Sequence, residues 1–333
     1  MNPICNLVKY LFRLQLMLII PILLANLPYQ ADGLALPQII SKRIINGFLM
    51  PNSLGPYSVS VVRRKGNILY MCGGTLISKQ HVITAAHCVV DGNAAADPSS
   101  VTIGYDSMDK NKQKKATATK VTFNPSYLKD GKTSARYDIA VIQIKPLTYS
   151  DNTKKIPIYG GKLEPGQAIM AMGWGGTEPK AIMRNLLRGV KVITGTPEEC
   201  KKFSSSFDNS NGPQVCTLGK LTPERSTCGG DSGSSVVINY NGKVALVGTN
   251  SIGVYMGKTT GCGSKDSAHF YVHPYYHIDF ILKTTGLKRS DIIVGTPTQG
   301  KAASINSNEK AAATVTKTVT VTPSLPSDIA NLL

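Results

Sequence analysis

The amino-acid sequence predicts an all-β fold, either a barrel or a sandwich of many short strands. After residue 44, the apolar residues come in short runs rich in Val and Ile, and turn-forming residues separate these runs. The 333 residues include 31 glycines and 19 prolines, a turn-rich composition that excludes a bundle of long helices. With 42% apolar and 17% charged residues, the chain has enough apolar side chains to bury a core.

The predicted strands follow one another along the chain. They span residues 57–62, 81–84, 101–103, 139–144, 190–193, 235–239 and 244–247. One later stretch, 276–284, breaks this pattern because Ile278, Ile281 and Leu282 recur at helical spacing. It predicts a short helix that packs on the core.

The N-terminal segment has the features of a secretory signal peptide. Lys9 and Arg13 precede an apolar run that Pro21 interrupts, and small residues follow as far as Ala35. A signal anchor is the alternative, but an anchor needs about 20 apolar residues to cross a bilayer. We therefore expect residues 1–35 to be removed and the mature protein to be secreted to the extracellular space.

Two further segments flank the predicted folded domain, which spans residues 44–286. Residues 36–43 are predicted to be a short propeptide that ends in the pair Lys42-Arg43, although a dibasic pair is also typical of a solvated surface. Residues 287–333 are rich in Thr, Ala, Ser and Lys and have no apolar partners nearby. This composition predicts a flexible tail, open to O-glycosylation.

The charge of the chain bears on its partners. Lys and Arg number 37 against 20 Asp and Glu, which gives a net charge of +17. Such a charge favours acidic polymers or acidic substrates but does not determine a fold. The basic run 109–115 is either a solvated loop or an anchor for an acidic polymer, and it has too few carboxylates to hold calcium. We expect no cofactor and no nucleic-acid partner.

Three histidines recur at every fourth residue: His269, His273 and His277. On a helix this spacing would suggest a metal-binding face. Pro274 interrupts such a helix, and the stretch from His269 has the pattern of a strand. We therefore expect no metal site.

The seven cysteines are an odd number for a secreted chain, but Cys5 would leave with the signal peptide. In an oxidising compartment the other six are expected to form disulfides, and the absence of a CxxC pair argues against a zinc site. They are Cys72, Cys88, Cys200, Cys216, Cys228 and Cys262. Six cysteines allow many pairings, among which the residues alone do not choose.

Three short segments contain the residue types of nucleophilic catalysis. They are Thr-Ala-Ala-His-Cys at 84–88, Tyr-Asp-Ile-Ala-Val at 137–141 and Gly-Gly-Asp-Ser-Gly at 229–233. A serine hydroxyl becomes a nucleophile when a histidine takes its proton, and a buried carboxylate orients that histidine. Each segment alone is typical of an ordinary turn or structural residue, but their joint occurrence in this order is much more specific.

With further motifs, these segments resemble the trypsin/chymotrypsin-like serine endopeptidases, which act on proteins or peptides. The similarity extends from Ile44 to about Gly286. Its other motifs are Ile-Ile-Asn-Gly at 44–47, Cys-Gly-Gly-Thr-Leu-Ile at 72–77 and Gly-Trp-Gly at 173–175. The resemblance implies a monomer with two six-stranded antiparallel β-barrels, a site in the cleft between them and a short C-terminal helix.

The resemblance also implies a role for each residue that matches a family motif. His87 would be the general base and acid, Asp138 its orienting partner and Ser232 the nucleophile. The backbone N–H groups of Gly230 and Ser232 would form the oxyanion hole, and Ser251 would support Asp138. The implied disulfides are Cys72–Cys88, Cys200–Cys216 and Cys228–Cys262.

In the family's activation mechanism, the dibasic pair would be a cleavage site. A kexin-like convertase acting at Lys42-Arg43, or a related trypsin-like protease, would cut after Arg43 and free Ile44. The new ammonium group would then pair with Asp231 and order the oxyanion loop.

The pocket residues predict the side chain that precedes the cleaved bond. Ser226 stands at the pocket base, where trypsin-like members carry Asp, so cleavage after Lys or Arg is not expected. This uncharged base and the open wall at Gly253 favour apolar or aromatic residues. However, His269 falls near a position that is usually Gly, and a histidine there would fill the pocket or bind an acidic side chain. Both preferences stay open, with the apolar one favoured.

Two departures from the family pattern suggest an alternative function. Ser234 and Ile252 stand where Gly and Trp are usual. Together with His269 and the basic charge, they suggest a catalytically weak or silent protein that acts as a binding or decoy factor. A module that binds polyanions through charge is a further alternative. The complete set of catalytic residues favours the endopeptidase.

Overall fold

A computed structural model describes residues 47–51, 54–129, 131–176, 185–256 and 261–295. The predicted signal peptide, the propeptide and most of the tail lie outside these residues. Strands dominate the described part. They are β1 (Phe48–Leu49), β2 (Ser58–Lys65), β3 (Ile68–Leu76), β4 (His81–Thr84), β5 (Val90–Asp91), β6 (Ala94–Ala95), β7 (Val101–Tyr105), β8 (Lys114–Phe123), β9 (Leu128–Lys129), β10 (Lys132–Thr133), β11 (Ala140–Ile144), β12 (Ile158–Tyr159), β13 (Ala168–Gly173), β14 (Arg188–Ile193), β15 (Gln214–Leu218), β16 (Ser235–Tyr240), β17 (Lys243–Tyr255), β18 (Ser267–Val272) and β19 (Ile293–Val294). The α-helices are α1 (Pro197–Lys201), α2 (Ile278–Thr285) and α3 (Arg289–Ile292).

Six strands from the first half of the chain close into a barrel in the order β11-β4-β3-β2-β7-β8. Every neighbouring pair in it is antiparallel. Val59 and Val61 of β2, Val82 of β4 and Ile103 of β7 are buried in its core. Successive side chains of a strand point to opposite faces, so the alternation of Val with polar residues supplies one apolar face.

A second ring of six strands follows the order β14-β13-β16-β17-β18-β15. A single antiparallel bridge between Thr194 and Thr217 joins β15 back to β14. The predicted all-β class and its two barrels are therefore confirmed, although the second closes less completely than the first. It also carries β12, which pairs in parallel with β17 and β19, where only antiparallel pairs were expected.

Another apolar cluster lies between the two barrels and packs their facing surfaces together. Ile83 and Ile139 contribute to it from the first barrel, Met172 and Val237 from the second, and Ile281 from α2. All of them are almost fully buried. This packing brings the strand ends of both barrels to one common cleft.

The chain after the second barrel forms the predicted helix and then continues. Helix α2 ends at Thr285 and Gly286 caps it, with a φ of +70° that suits a glycine C-cap. Beyond the predicted domain end at 286, α3 and β19 follow, and the description extends to Gly295. Ile292 of α3 is 1% exposed and belongs to the cluster between the barrels. Among the described helices, none is both long and apolar enough to cross a membrane.

Replacing Ile292 tests whether this C-terminal turn belongs to the core. Ile292→Ala should lower the free energy of unfolding by about 2–4 kcal/mol, because it removes buried methylene groups and leaves a cavity. Urea unfolding followed by the fluorescence of Trp174, the only tryptophan, measures this change. Ile68→Ala is the control, since Ile68 is 57% exposed and should change stability by less than about 0.5 kcal/mol. Equal effects of the two substitutions on the free energy of unfolding would contradict the placement of Ile292 in the core.

Candidate active site

His87, Asp138 and Ser251 form one hydrogen-bonded chain at the junction of the barrels. His87 lies in a 3-10 turn after β4, and the Cys72–Cys88 disulfide ties this turn to β3. His87 Nδ1 lies 2.7 Å from Asp138 Oδ2, and the backbone N–H of His87 donates to Asp138 Oδ1 at 2.9 Å. Ser251 Oγ donates to Asp138 Oδ2 at 2.6 Å. Both carboxylate oxygens of Asp138 are therefore occupied and its orientation is fixed.

The electrostatics of these hydrogen-bonded side chains favour an ionised Asp138 beside a basic His87. Burial opposes ionisation of Asp138, but the hydrogen bonds and charge of His87 and the hydrogen bond of Ser251 outweigh it, so the pKa of Asp138 is lowered. Burial also acts to lower the pKa of His87, but the hydrogen bond and charge of Asp138 outweigh this effect and raise it. Asp138 is almost fully buried, whereas the side chain of His87 is 36% exposed and accessible from the cleft.

The segment that carries Ser232 is held by backbone contacts from both barrels. The N–H of Gly73 in β3 donates to Ser232 O at 2.8 Å, and the N–H of Gly233 donates to Asn250 O at 2.8 Å. Gly230 and Gly233 have φ values of +90° and +76°, in the left-handed region that favours glycine. The sharp turn at Ser232 therefore depends on the glycines of the Gly-Gly-Asp-Ser-Gly motif.

Asp231, directly before Ser232, is a fully buried carboxylate. Its Oδ1 accepts from the N–H of Gly175 at 2.7 Å, and its Oδ2 accepts from the N–H of Cys228 at 2.8 Å. Burial raises its pKa to about 7, although both hydrogen bonds and the charge of Lys110 act to lower it. Within the described residues, no cation lies within salt-bridge distance of Asp231.

The Gly-Trp-Gly motif packs against this carboxylate. A Cβ on Gly173 would overlap Asp231 Oδ1, and a Cβ on Gly175 would lie 2.6 Å from Asp231 Cγ. Trp174 between them is buried and donates from Nε1 to Met108 O at 2.9 Å. The motif is thus explained by the close approach of the backbone to Asp231.

Beside Ser232 lies a cavity of about 210 Å³. Its lining includes Ser232, Ser251, Gly253 and His269. Ser226, which was predicted to form the bottom of the pocket, is not among the residues that line this cavity. It is fully buried, and its Oγ accepts from the N–H of Gly263 at 2.7 Å. Its neighbour Thr227 lines the cavity instead, together with Cys228, Gly229, Asn250, Ile252 and Tyr255.

The predicted activation residues Lys42, Arg43 and Ile44 lie outside the described residues. His273 follows β18 and lies near Gly212 O, whereas His277 precedes α2 and lies near Arg136 O. These two histidines are close enough to interact electrostatically, whereas His269 lies in the wall of the cavity. In the described part, the one group close enough to share an ion is Cys72, His87 and Cys88, and its two sulfurs are bonded to each other.

Other residues near the site were missed by the sequence analysis. Thr227 and Tyr255 line the cavity, but they belong to no motif, and only the adjacency of Thr227 to Ser226 could have suggested it. Lys110 belongs to the basic run expected to be a solvated loop, yet it lies close enough to act on the pKa of Asp231. The other two disulfides are Cys200–Cys216 and Cys228–Cys262, so all three are the pairs that the resemblance implies.

Two β-barrels with a histidine, a buried carboxylate and a serine at their junction are typical of a hydrolase that uses an activated serine. Residues 44–281 match the Trypsin family, so the chain belongs to that family and is a serine-type endopeptidase that acts on proteins. The resemblance inferred from the motifs is thus confirmed. A similar protein is Trypsin 5G1 of Aedes aegypti, which is 28% identical over 250 residues, or 74% of this chain and 86% of that protein.

A glycine substitution tests the contact between β3 and the serine segment. A Cβ on Gly73 would overlap Ser234 Oγ and lie 2.8 Å from Ser234 Cβ. Gly73→Ala should therefore lower the free energy of unfolding by about 1–3 kcal/mol, the usual cost of overpacking. Adding Ser234→Gly should recover part of this loss, because it removes the overlapping atoms. Chemical unfolding of both variants and of Ser234→Gly alone measures the coupling, and additive effects would contradict the proposed clash.

Proposed function

We propose that this protein is a secreted endopeptidase, made as a zymogen, in which Ser232 is the nucleophile, His87 the general base and acid, and Asp138 its orienting partner. The contact that carries the proposal is the 2.7 Å hydrogen bond from His87 Nδ1 to the ionised Asp138. This bond keeps the proton of the neutral ring on Nδ1. His87 Nε2 is then free to accept a proton.

The reaction would proceed through an acyl-enzyme. Ser232 Oγ attacks the carbonyl carbon of the scissile peptide while its proton passes to His87 Nε2. The imidazolium, stabilised by Asp138, returns that proton to the leaving amine as the C–N bond breaks. Water then attacks the acyl carbon while His87 Nε2 takes its proton. His87 returns this proton to Ser232 Oγ as the ester bond breaks, which releases the acid product and restores the hydroxyl. Ser251 contributes by holding Asp138 Oδ2 in place.

The oxyanion would be stabilised by the backbone N–H groups of Gly230 and Ser232. The left-handed φ of Gly230 supports this role, because it lets the peptide turn its N–H away from the chain. Within the described residues, neither N–H has an acceptor. Donors held open in this way stabilise charge that develops in the transition state.

Activation after Arg43 would supply the cation that Asp231 lacks. A buried carboxylate is costly unless it is paired, and the raised pKa of Asp231 reflects that cost. The ammonium group of a freed Ile44 would favour the ionised form and fix the turn that precedes Ser232. The pair Lys42-Arg43 fits a convertase of the secretory route as the activating enzyme.

Cleavage after Lys or Arg is not expected from the pocket. No Asp or Glu is among the described residues that line it, so a cationic side chain would be buried without a partner. The departures at Ser234 and Ile252 leave the hydrogen bonds of His87, Asp138 and Ser251 intact, which favours the enzyme over the silent binding factor.

Covalent labelling tests the nucleophile and the activation step together. A fluorophosphonate probe should label Ser232 in protein that begins at Ile44, because only an activated serine attacks such a reagent. The uncleaved chain, protected by Arg43→Gln, should label at least tenfold more slowly. Peptide mapping by mass spectrometry identifies the modified residue.

Two substitutions control this experiment. Ser232→Ala should abolish labelling, whereas Ser126→Ala, which removes a serine outside the site, should leave it unchanged. A processed protein that folds but is not labelled would contradict the proposal. Equal rates for the processed and uncleaved chains would contradict the activation step.

The pH dependence of turnover tests the pairing of His87 with Asp138. His87 acts as a base only when neutral, so kcat/KM should fall as the pH decreases through its raised pKa, with the midpoint above 6.5. Asp138→Asn removes the hydrogen bond and charge that raise this pKa. The midpoint should therefore move to lower pH, and the rate should fall by about 10⁴, as for this change in related triads. Ser251→Ala should lower the rate much less, and an unchanged midpoint in Asp138→Asn would refute the pairing.

A further inference from the structure

His269 forms part of the wall of the cavity beside Ser232. It lies in β18 opposite Gly253 of β17, and a Cβ on Gly253 would come within 3.2 Å of its ring. The missing side chain at Gly253 therefore leaves this face of the imidazole uncovered on the cavity side. The sequence alone could not decide whether His269 entered the pocket or pointed away from it.

The polar groups around His269 carry no charge, and the Ser267 hydroxyl already donates to Ser264 O at 2.6 Å. Thr227 Oγ1 lies 3.3 Å from Nδ1, and Ser267 Oγ lies 3.5 Å from Nε2. The ring of Tyr255 packs edge-on against the imidazole, and its hydroxyl lies 2.9 Å from the position of a Cβ on Gly253. Asn250 also lines the cavity and accepts from Thr227 at 3.2 Å.

We propose that this cavity accepts the carboxylate side chain of the substrate residue before the scissile bond, with His269 and Thr227 as its hydrogen-bond donors and the Thr227 hydroxyl turning to it from Asn250. The inference rests on the proposed function, because it concerns the same cleft. It selects the acidic preference over the apolar one that the uncharged base at Ser226 had favoured.

Charge complementarity supports this choice over a large apolar side chain. His269, Thr227 and Tyr255 all carry polar hydrogens, and an aromatic ring seated against them would exclude water without replacing its hydrogen bonds. A carboxylate accepts several such bonds at once. Within the described lining, no acidic residue competes with it for these donors.

The protonation of His269 would be coupled to substrate binding. Burial lowers the pKa of His269 to about 4, so the ring is neutral near pH 7. A carboxylate within hydrogen-bond distance favours the imidazolium and raises this pKa. Acidic substrates would therefore take up a proton on binding and gain affinity as the pH falls, until the substrate carboxylate itself is protonated near pH 4. The groups that face His269 from the neighbouring elements are Thr227, Asn250, Tyr255 and Ser267, and none of them titrates in this range.

The test compares peptides that differ only in the residue before the scissile bond, which is Glu, Gln, Phe or Lys. With protein that begins at Ile44, kcat/KM for Glu should exceed that for its isostere Gln by about 10- to 100-fold at pH 6. This ratio should shrink as the pH rises to 8. Effects of His87 and Asp231 cancel in the ratio, because they act equally on both peptides.

Variants of the pocket locate the preference. His269→Leu should remove most of the Glu/Gln ratio while Ser232 still reacts with the fluorophosphonate, which shows that the site is folded. His269→Gln keeps a donor but cannot gain charge, so it should keep part of the ratio and lose its pH dependence. The matched control is His81→Gln, since His81 is a buried histidine of β4 outside the cavity and should leave the ratio unchanged.

Each outcome decides the inference. A Glu/Gln ratio that depends on His269 and on pH supports it. Faster cleavage after Phe, or a ratio near one with Ser232 fully labelled, overturns it and leaves the proposed function standing. Protein that neither reacts with the probe nor cuts any peptide overturns the proposed function and this inference with it.

Discussion

The architecture around Ser232 depends on a carboxylate that has no contact with water. Asp231 is fully buried, and its two oxygens are held by backbone N–H groups from Cys228 and Gly175. An isolated carboxylate in an apolar interior is costly, so the surrounding chain must come very close to it. This requirement explains why glycines occur at 173 and 175, and it joins the strand end of β13 to the turn that presents Ser232.

The same constraint links the two barrels. Gly73 of the first barrel donates to the carbonyl of Ser232, while Gly233 donates to Asn250 of the second. The serine is thus fixed from both sides, whereas His87 and Asp138 belong to the first barrel alone. Ser251 completes the link, because it comes from β17 and holds the carboxylate that orients His87. The proposed catalytic residues are therefore brought together by the packing of the two barrels and not within either one.

Much of this arrangement follows from the sequence, for physical reasons that differ by element. Alternation of Ser and Val predicted β2, because successive side chains of a strand point to opposite faces, and the adjacent Val and Ile between turn residues predicted β4. Motifs such as 84–88 and 229–233 predicted which residues to propose as catalytic, because the joint occurrence of His, Asp and Ser segments in this order is specific. The parallel strand β19 was not predictable, since two residues carry no periodicity and its partner β12 is distant in sequence. The same holds for Tyr255, which reaches the cavity through the long strand β17, and for His269, whose direction depends on the register of β18 against it.

The pairing of β19 with β12 also determines where the rest of the polypeptide begins. The N–H of Gly160 donates to Val294 O, and Gly160 lies in the chain just before the loop that leads into β13. The other end of β13 leads to Gly175, whose N–H donates to Asp231. Anything joined to the protein after Gly295 therefore starts at the end of the second barrel away from the serine. A tag or domain fused directly after Gly295 would thus start beside β12, at the end of β13 opposite the one that leads to Asp231.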